Sequence, residues 1–448
     1  MSPNELPRPG LGATVLIVEP ESSGIDLLSA AERLRLHAHI LDRRPLDRAA
    51  PAVRAAVADG RAGYSVTDTR SVRSVVEAAR ALRRRERIVA VVPGFEYAVP
   101  VAAAAAGELG LPGLSPAAAA GLRDKGLMKE LLHAAGVPVA PGVRLTAGAV
   151  SPDDLVRAAA AVGFPAVVKP VDGSGSLGVR RIDSIEALGL HLDQAAAAGA
   201  LDDMGHPVGE RLLLESYIAG PEFSVEGWVG SDGVVTVAAV TEKLLGPEPY
   251  FVEVGHIVDA GLPPARRNPL RDLARRAVAA LGLTAGVFHL EARLTPAGPV
   301  VMEVAARLGG DRIHRLVTAV HGASLPEAAI RCLAGLPQPG PVAPARRRVA
   351  ASVFFTAARP GRIADPAALR AELDAVIRST ADCWELSVDC AAGAPVEPAT
   401  DFRQRFGHAV VVAADRATLS TLLAALADTV DAAVTGSRTD HVLASAAR

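Results

Sequence analysis

Residues Val287 to Asp311 read VFHLEARLTPAGPVVMEVAARLGGD. Two apolar, β-branched runs flank Pro296-Ala297-Gly298, and a three-residue loop with glycine last is a usual hairpin connection. Counting outward from Ala297 sets Thr295 against Pro299 and Glu291 against Glu303. Residues directly opposed on one sheet face have Cβ atoms ~4.5–5.5 Å apart, and like charges there repel. Solvent, a shared proton or a bound cation relieves that repulsion. The apolar neighbours disfavour solvent, and Mg²⁺ takes carboxylate oxygens together with phosphates. The bland alternative is a surface hairpin with two solvated glutamates, and a bulge would spoil the register. Arg307 and Gly309-Gly310-Asp311 follow. An arginine fork suits an anionic transition state, and glycines let backbone amides approach an anion.

Upstream, FPAVVK ends an apolar strand at Lys169, directly before the Gly/Ser run Asp172 to Gly178. A buried lysine needs an anionic partner, and the loop's amides and hydroxyls, Ser174 and Ser176 among them, suit phosphate. No GK[ST] follows, so this is not a Walker A loop, and a plain Gly-rich hairpin turn is its bland reading. Lys125 and Lys129 lie four apart on an expected helix and can share a face, with solvated lysines as the default. Lys243 reads equally well as a phosphate ligand and as a surface lysine. At the end of LLLES, the stretch Glu215, Ser216, Tyr217 and Ile218 could present backbone to a purine edge, with Glu222 placed for ribose hydroxyls.

Outward from these motifs, strands at Thr14 to Val18 and Ile88 to Val92 alternate with helices at Gly24 to Arg35 and Val99 to Leu109, which argues for a parallel α/β unit. Gly10-Leu11-Gly12 precedes its strand instead of following it, so it is not a dinucleotide fingerprint. A helix spans Ala117 to Ala135, and Ser151-Pro152 opens another. Strands are expected at Leu212 to Ser216, Ser224 to Val229 and Val234 to Thr241, with helices at Arg267 to Leu281 and from Ser324 to Leu333. A proline-rich joint runs from Pro339 to Pro344. The expected divisions are 1–116 Rossmann-like, 117–208 small lobe with a phosphate flap, 209–340 large lobe with the metal hairpin, and 341–448 a small α+β unit.

The chain has 448 residues and a formal net charge of −2, so no large basic field attracts nucleic acid or membrane. The densest basic cluster, Arg83 to Arg87, reads as a solvated helix end. Three cysteines, Cys332, Cys383 and Cys390, match no zinc or redox spacing and no disulfide framework. No signal peptide opens the chain, and no uncharged apolar run reaches the ~18–20 residues that span a bilayer. The expectation is a soluble cytoplasmic protein.

Taken in order, four segments resemble the ATP-grasp superfamily: GLPGLSPAAAAGLRDKGLMKELLHAAGVPVAP from Gly110, FPAVVKPVDGSGSLGV, LLLESYIAGPEFSVEG, and LEARL with VVMEVAARLGGD. Within it the chain looks most like the L-amino-acid ligases, through Pro249-Tyr-Phe-Val-Glu-Val-Gly-His256, Arg307-Leu-Gly-Gly-Asp and ASVFFTAARPGRI from Ala351. The resemblance implies an ATP-grasp fold with a Rossmann-like N-terminal domain. It implies a ligase that makes a peptide-like amide through an acyl phosphate. Lys129, Lys169 and Lys243 would reach the ATP phosphates under a flap of Ser174, Ser176 and Gly178. The main chain of Glu215 to Ile218 would take adenine, and Glu222 the ribose. Glu291 and Glu303 would hold Mg²⁺ or Mn²⁺, and Arg307 would stabilise the tetrahedral intermediate. His256, from a substrate loop, would contact substrate or phosphate. The flap and the Tyr250 to His256 loop would be mobile. Small-molecule carboxylate and amine partners, amino acids among them, and a homodimer are implied too. Ala305 stands where many members carry asparagine, which puts a second metal in question. Other acceptors (a carrier-protein thiol, bicarbonate, a ribosyl amine) and a non-catalytic nucleotide-binding regulator stay open.

Overall fold

The computed structural model describes residues 12–198, 210–338 and 348–435. The N-terminal part has strands β1 Ala13–Val18, β2 His37–Asp42, β3 Ala62–Val66 and β4 Arg87–Pro93, all parallel, in the order β3-β2-β1-β4. In β1, Val15 and Ile17 enter one apolar cluster while Leu16 and Val18 enter another. Both faces are therefore covered, as a parallel sheet requires. The first of these clusters also contains Leu316, Val317, Ile330 and Val410, so the N-terminal sheet shares a core with the rest of the chain.

The second sheet is built from β5 Gly142–Thr146, β6 Ala166–Pro170, β7 Arg180–Ile182 and β8 Arg211–Ser216, in the order β5-β8-β6-β7. Val168, Leu212 and Leu214 pack into its core against Ala158, Val162 and Leu188. Alternation then sends Lys169 and Glu215 to the opposite face.

The largest sheet has eight strands. It takes β9 Glu222–Val229, β10 Val235–Leu245, β11 Glu253–Val258, β12 Gly286–Thr295 and β13 Gly298–Ala305, and continues through β14 Val349–Phe354, β16 Asp382–Val388 and β18 Gly407–Ala413. Its order is β13-β12-β9-β10-β11-β14-β18-β16. The C-terminal strands thus extend the sheet of the preceding part. Three short strands, β15 Gly361–Ile363, β17 Pro395–Val396 and β19 Val434–Thr435, form a small separate sheet.

The hairpin holds a correction. Its turn is Pro296-Ala297, closed by Thr295 opposite Gly298, one residue shorter than expected. Leu294, not Thr295, faces Pro299. A register shift between Glu291 and Ala292 then leaves Met302 as the extra residue and restores Glu291 opposite Glu303. The bulge that was expected to spoil the pairing is what produces it.

Four further differences stand out. The expected helix over Ala117 to Ala135 is two, Pro116–Gly121 and Lys125–Ala134. The break arises because the Asp124 carboxylate accepts the Leu127 N–H at 3.0 Å and caps the second helix. Gly24 to Arg35 divides into a 3₁₀ turn, Ser22–Ile25, and a helix, Asp26–Arg33. Strands β2 and β3 were not anticipated. Glu253–Val258, read as part of a loop, is the fifth strand of the large sheet. The proline-rich joint, Gly10-Leu11 and the stretch after Thr435 lie outside the described residues. Among the described residues no helix is long and apolar enough to cross a membrane.

Candidate active site

One cleft of about 400 Å³ is lined from every part of the chain. The loops after β1 and β4 contribute Ser23 and Gly94, at the carboxyl ends of neighbouring parallel strands whose following helices pack on opposite faces of the sheet, where ligands of such sheets bind. A Cβ on Gly24 would sit 1.8 Å from the Gly94 carbonyl oxygen, so only glycine lets these two loops meet. Opposite them stand Lys169, the Gly/Ser loop, Glu215, Glu291, Glu303 and Arg307.

At the first end, Lys129 and Lys169 both bind Glu215, at 2.6 and 2.5 Å. All three are buried. Burial alone would raise the Glu215 pKa, but the two ammonium groups outweigh it and hold the carboxyl at about 2. One carboxylate cannot satisfy two cations. Burial, with Lys169 adding repulsion, brings Lys129 down to about 8 despite Glu215. Lys169 moves up: Glu215, Glu303 and Glu291 overcome its burial. Lys125 binds Glu303 at 2.9 Å and the Gly173 carbonyl at 2.7 Å, so the flap is tied to the hairpin.

The other end gathers three carboxylates around one lysine. Lys243, buried, meets Glu222 at 3.1 Å, Glu253 at 2.7 Å and Glu291. Burial works against its charge, yet the three carboxylates raise its pKa well above the usual lysine range. Glu253 and Glu291 are correspondingly held low against burial. His289 lies between Glu226 at 3.1 Å and Glu291 at 3.2 Å. Those contacts overcome its burial and raise it to about 10, so it is an imidazolium at neutral pH. Arg307 is gripped by Glu96 of the N-terminal part and donates to the Leu308 carbonyl at 2.8 Å.

A family model described as an ATP-grasp domain matches residues 162–315, from just before β6 through the hairpin and Arg307. The chain carries an ATP-grasp domain. It is 28% identical to the uncharacterized protein y4rH of Sinorhizobium fredii over 421 residues, 94% of this chain and 82% of that one. It is 34% identical to carnosine synthase 1 of Gallus gallus over 209 residues, 46% of this chain but only 22% of the synthase. The fold is similar to that of an L-amino acid ligase from Bacillus licheniformis, with a TM-score of 0.75 at 21% identity, over 94% of this chain and 98% of that one. It is also similar to a carboxyaminoimidazole ribonucleotide synthase from Aspergillus clavatus complexed with ATP, with a TM-score of 0.69 at 20% identity, over 93% and 98%.

Within this ATP-grasp cleft, Lys169, Ser174, Ser176, Glu215, Ile218, Glu222, Glu291, Glu303 and Arg307 line the wall. Lys129 and Lys243 stand behind it, each bound to a lining carboxylate. Lys243 is therefore no surface lysine; three strands converge on it. The backbone N–H groups of Ser216 and Tyr217 already donate to Pro141 and Pro165 at 3.0 and 3.1 Å. Of that stretch's expected adenine donors, those two are engaged. The Tyr217 hydroxyl donates to Glu248 at 2.6 Å, and Ser216 Oγ to Val162 at 2.7 Å. Gly178, at φ +72°, shapes the end of the flap.

His256 needs the plainest correction. It is on a strand, fully buried, and bound to Asp311 at 3.0 Å and Glu253 at 3.3 Å. It reaches the cleft only through those two carboxylates, which do line it. Glu253, His256 and Asp311 are close enough together to hold a metal ion. However, Lys243 and Arg405 already neutralise the two carboxylates, and the same carboxylates overcome burial to raise the His256 pKa. A proton suits this trio better than a metal ion.

Sequence reading missed Glu253, His289, Arg293 and Arg405 as cleft residues, and Glu96 as the partner of Arg307. Two of the cleft residues had a signal. In β12 Phe288, Leu290, Ala292 and Leu294 enter the core, which puts His289 and Arg293 on the face of Glu291 by simple alternation. Arg293 binds Glu222 at 3.0 Å and the Ile218 carbonyl at 2.7 Å.

Proposed function

We propose that this chain is an ATP-dependent ligase that joins a carboxylate to an amine, with amino acids as its substrates. The observation that supports it is a surplus of lysines beside two facing carboxylates along one cleft. Lys129 and Lys169 share one carboxylate at Glu215, and Glu291 and Glu303 stand opposite each other on the hairpin. A metal–triphosphate complex would complement both, its anionic oxygens the lysines and its cation the facing carboxylates.

The residues fit such a cation. Glu291 and Glu303 are paired across the hairpin and both line the cleft. Each is now held by a lysine that a divalent ion would displace. Ala305, buried and without a donor atom, adds no further ligand. Bound there, Mg²⁺ would neutralise charge on the phosphates.

In the proposed reaction the substrate carboxylate attacks the γ-phosphorus of ATP, and ADP leaves. The amine then attacks the acyl carbon of the acyl phosphate, the C–O bond to phosphate breaks, and the amine proton is lost. Lys129, Lys169 and Lys125 position the phosphates. Arg307, anchored by Glu96, faces the cleft where the oxyanion forms. The relatives bearing on substrate are a carnosine synthase and an L-amino acid ligase. As part of the same reading the chain works as a cytoplasmic homodimer, which sedimentation of the purified protein would check.

The test is incubation with Mg-ATP and pools of amino acids and small amines, following phosphate release and product masses. A mass equal to two substrates minus water supports the reading. The fold shared with the carboxyaminoimidazole ribonucleotide synthase favours a second one, in which the acceptor is not an amino acid. ATP binding without turnover across the amino-acid pools would favour it, or a regulatory role.

A further inference from the structure

Beyond the matched ATP-grasp segment, one stretch of the C-terminal part enters the cleft. Phe402 and Arg405 both line it, on either side of a rigid turn. Asp401, itself buried, caps the 3₁₀ turn Phe402–Gln404 by accepting the Arg403 N–H at 2.9 Å. Gln404 returns to accept the Asp401 N–H at 2.9 Å. The Arg405 N–H closes on the Phe402 carbonyl at 3.1 Å. Both side chains are therefore aimed by a turn with little freedom.

Phe402 meets the Gly/Ser flap. A Cβ on Gly175 would come within 2.7 Å of Phe402 Cδ1 and 3.1 Å of Cε1, so the flap backbone packs closely against that side of the ring. Gly175 is at φ +65° and Ser176 at φ +60°, and Ser176 Oγ donates to the Phe251 carbonyl at 3.3 Å. Arg405 grips the opposite wall. Its guanidinium lies 4.2 Å from the Phe354 ring centroid and donates to both Asp311 oxygens at 2.9 and 3.0 Å. From Asp311 a chain of part-buried ion pairs runs through His256, Glu253 and Lys243 to Glu291.

We propose that Phe402 is the seat on which the flap closes, and that Arg405 is a positioning residue for the Asp311–His256–Glu253 wall, so that the C-terminal part completes a water-excluding site. The proposal rests on the ligase reading. Its chemical role is to protect the acyl phosphate. Without the seat, water replaces the amine as nucleophile. The same acyl C–O bond breaks, phosphate leaves, and water's oxygen ends in the regenerated carboxylate as its proton is released. ATP is then consumed without amide.

The experiment uses the full chain with Phe402→Ala and, to keep an apolar seat, Phe402→Leu. Two quantities are read: amide formed per phosphate released, and hydrogen exchange of the 172–179 segment with and without Mg²⁺ and the non-hydrolysable analogue AMP-PNP. In Phe402→Ala amide per phosphate falls by about tenfold, because closure is what excludes water, and AMP-PNP no longer slows exchange in the flap. Phe402→Leu stays close to the wild type in both. Equal losses of amide and phosphate in both variants, or wild-type coupling and exchange in Phe402→Ala, would overturn the seat. If the wild type makes no amide, the ligase reading fails by itself, and the exchange measurement still decides whether Phe402 seats the flap.

Discussion

At Glu215 two lysines share one carboxylate, and at Lys243 three carboxylates share one lysine. The Glu215 cluster is buried, whereas at Lys243 only the lysine is and its three carboxylates line the cleft. They differ in how charge is balanced. Glu215 leaves one lysine in surplus, while Glu222, Glu253 and Glu291 each have a second cation, Arg293, His256 and His289 respectively. A buried ion pair contributes little net stability, so the surplus at Glu215 is not explained by folding alone. In the proposed reading the phosphates of a nucleotide would take up that surplus.

Removing the scarce charge should hurt most. Lys243→Met removes the cation shared by three part-buried carboxylates, each left with one other partner, and should cost about 3 kcal/mol in urea unfolding, part of it recovered when Mg²⁺ is added. Lys129→Met leaves Glu215 paired with Lys169 and should cost only about 1 kcal/mol. Equal costs for the two would break the comparison.

Glu291→Gln and Glu303→Gln should each reduce substrate-dependent phosphate release on the order of a thousandfold. Binding of ATP in EDTA, followed by calorimetry, should change little. An equal loss in EDTA would mean that these carboxylates shape the nucleotide pocket and not a metal site. Arg307→Lys keeps the charge but loses the planar fork. It should lower kcat on the order of a hundredfold with the KM for ATP nearly unchanged.

The smallest expected effect is on pH dependence. Lys129, brought down to about 8 by burial against the pull of Glu215, loses its proton first. ATP affinity should weaken by up to roughly tenfold from pH 8 to pH 9, and Lys129→Met should lack that slope. For folding the signs are separate. The depressed Lys129 pKa is a penalty present below pH 8 and relieved as pH rises toward the usual lysine value. Glu215 at about 2 adds stability that is present above the usual carboxylate range and lost as pH falls through 2. Thermal melts across both ranges would check each sign.

The hairpin shows how far local reading reaches. Glu291 and Glu303 were paired correctly, but through a turn one residue too long, and the bulge at Met302 compensates. Turn chemistry and alternation are local, so the strands and the facing carboxylates could be read from the chain. The bulge was not legible, because it depends on how β13 packs. The helix break at Asp124 had a local signal, an aspartate three residues before a backbone donor, hidden in an alanine-rich run. His256 was taken for a loop residue because Pro249 to His256 resembles a substrate-loop motif. Its strand exists because β10 and β14 pair with it from either side, and β14 lies about a hundred residues away.

What the sequence alone determined were the pieces whose physics is short-ranged: the alternating strands, the capped helices, the Gly/Ser flap and the hairpin that carries the two glutamates. Their order was enough to reach the ATP-grasp fold. Only the tertiary structure decided the charge partners. Lys243 finds its three carboxylates on three other strands, Arg307 finds Glu96 across the cleft, and Phe402 arrives from the C-terminal part. The reason is that a buried charge is defined by what surrounds it in space, and no local pattern records which distant carboxylate will complete it.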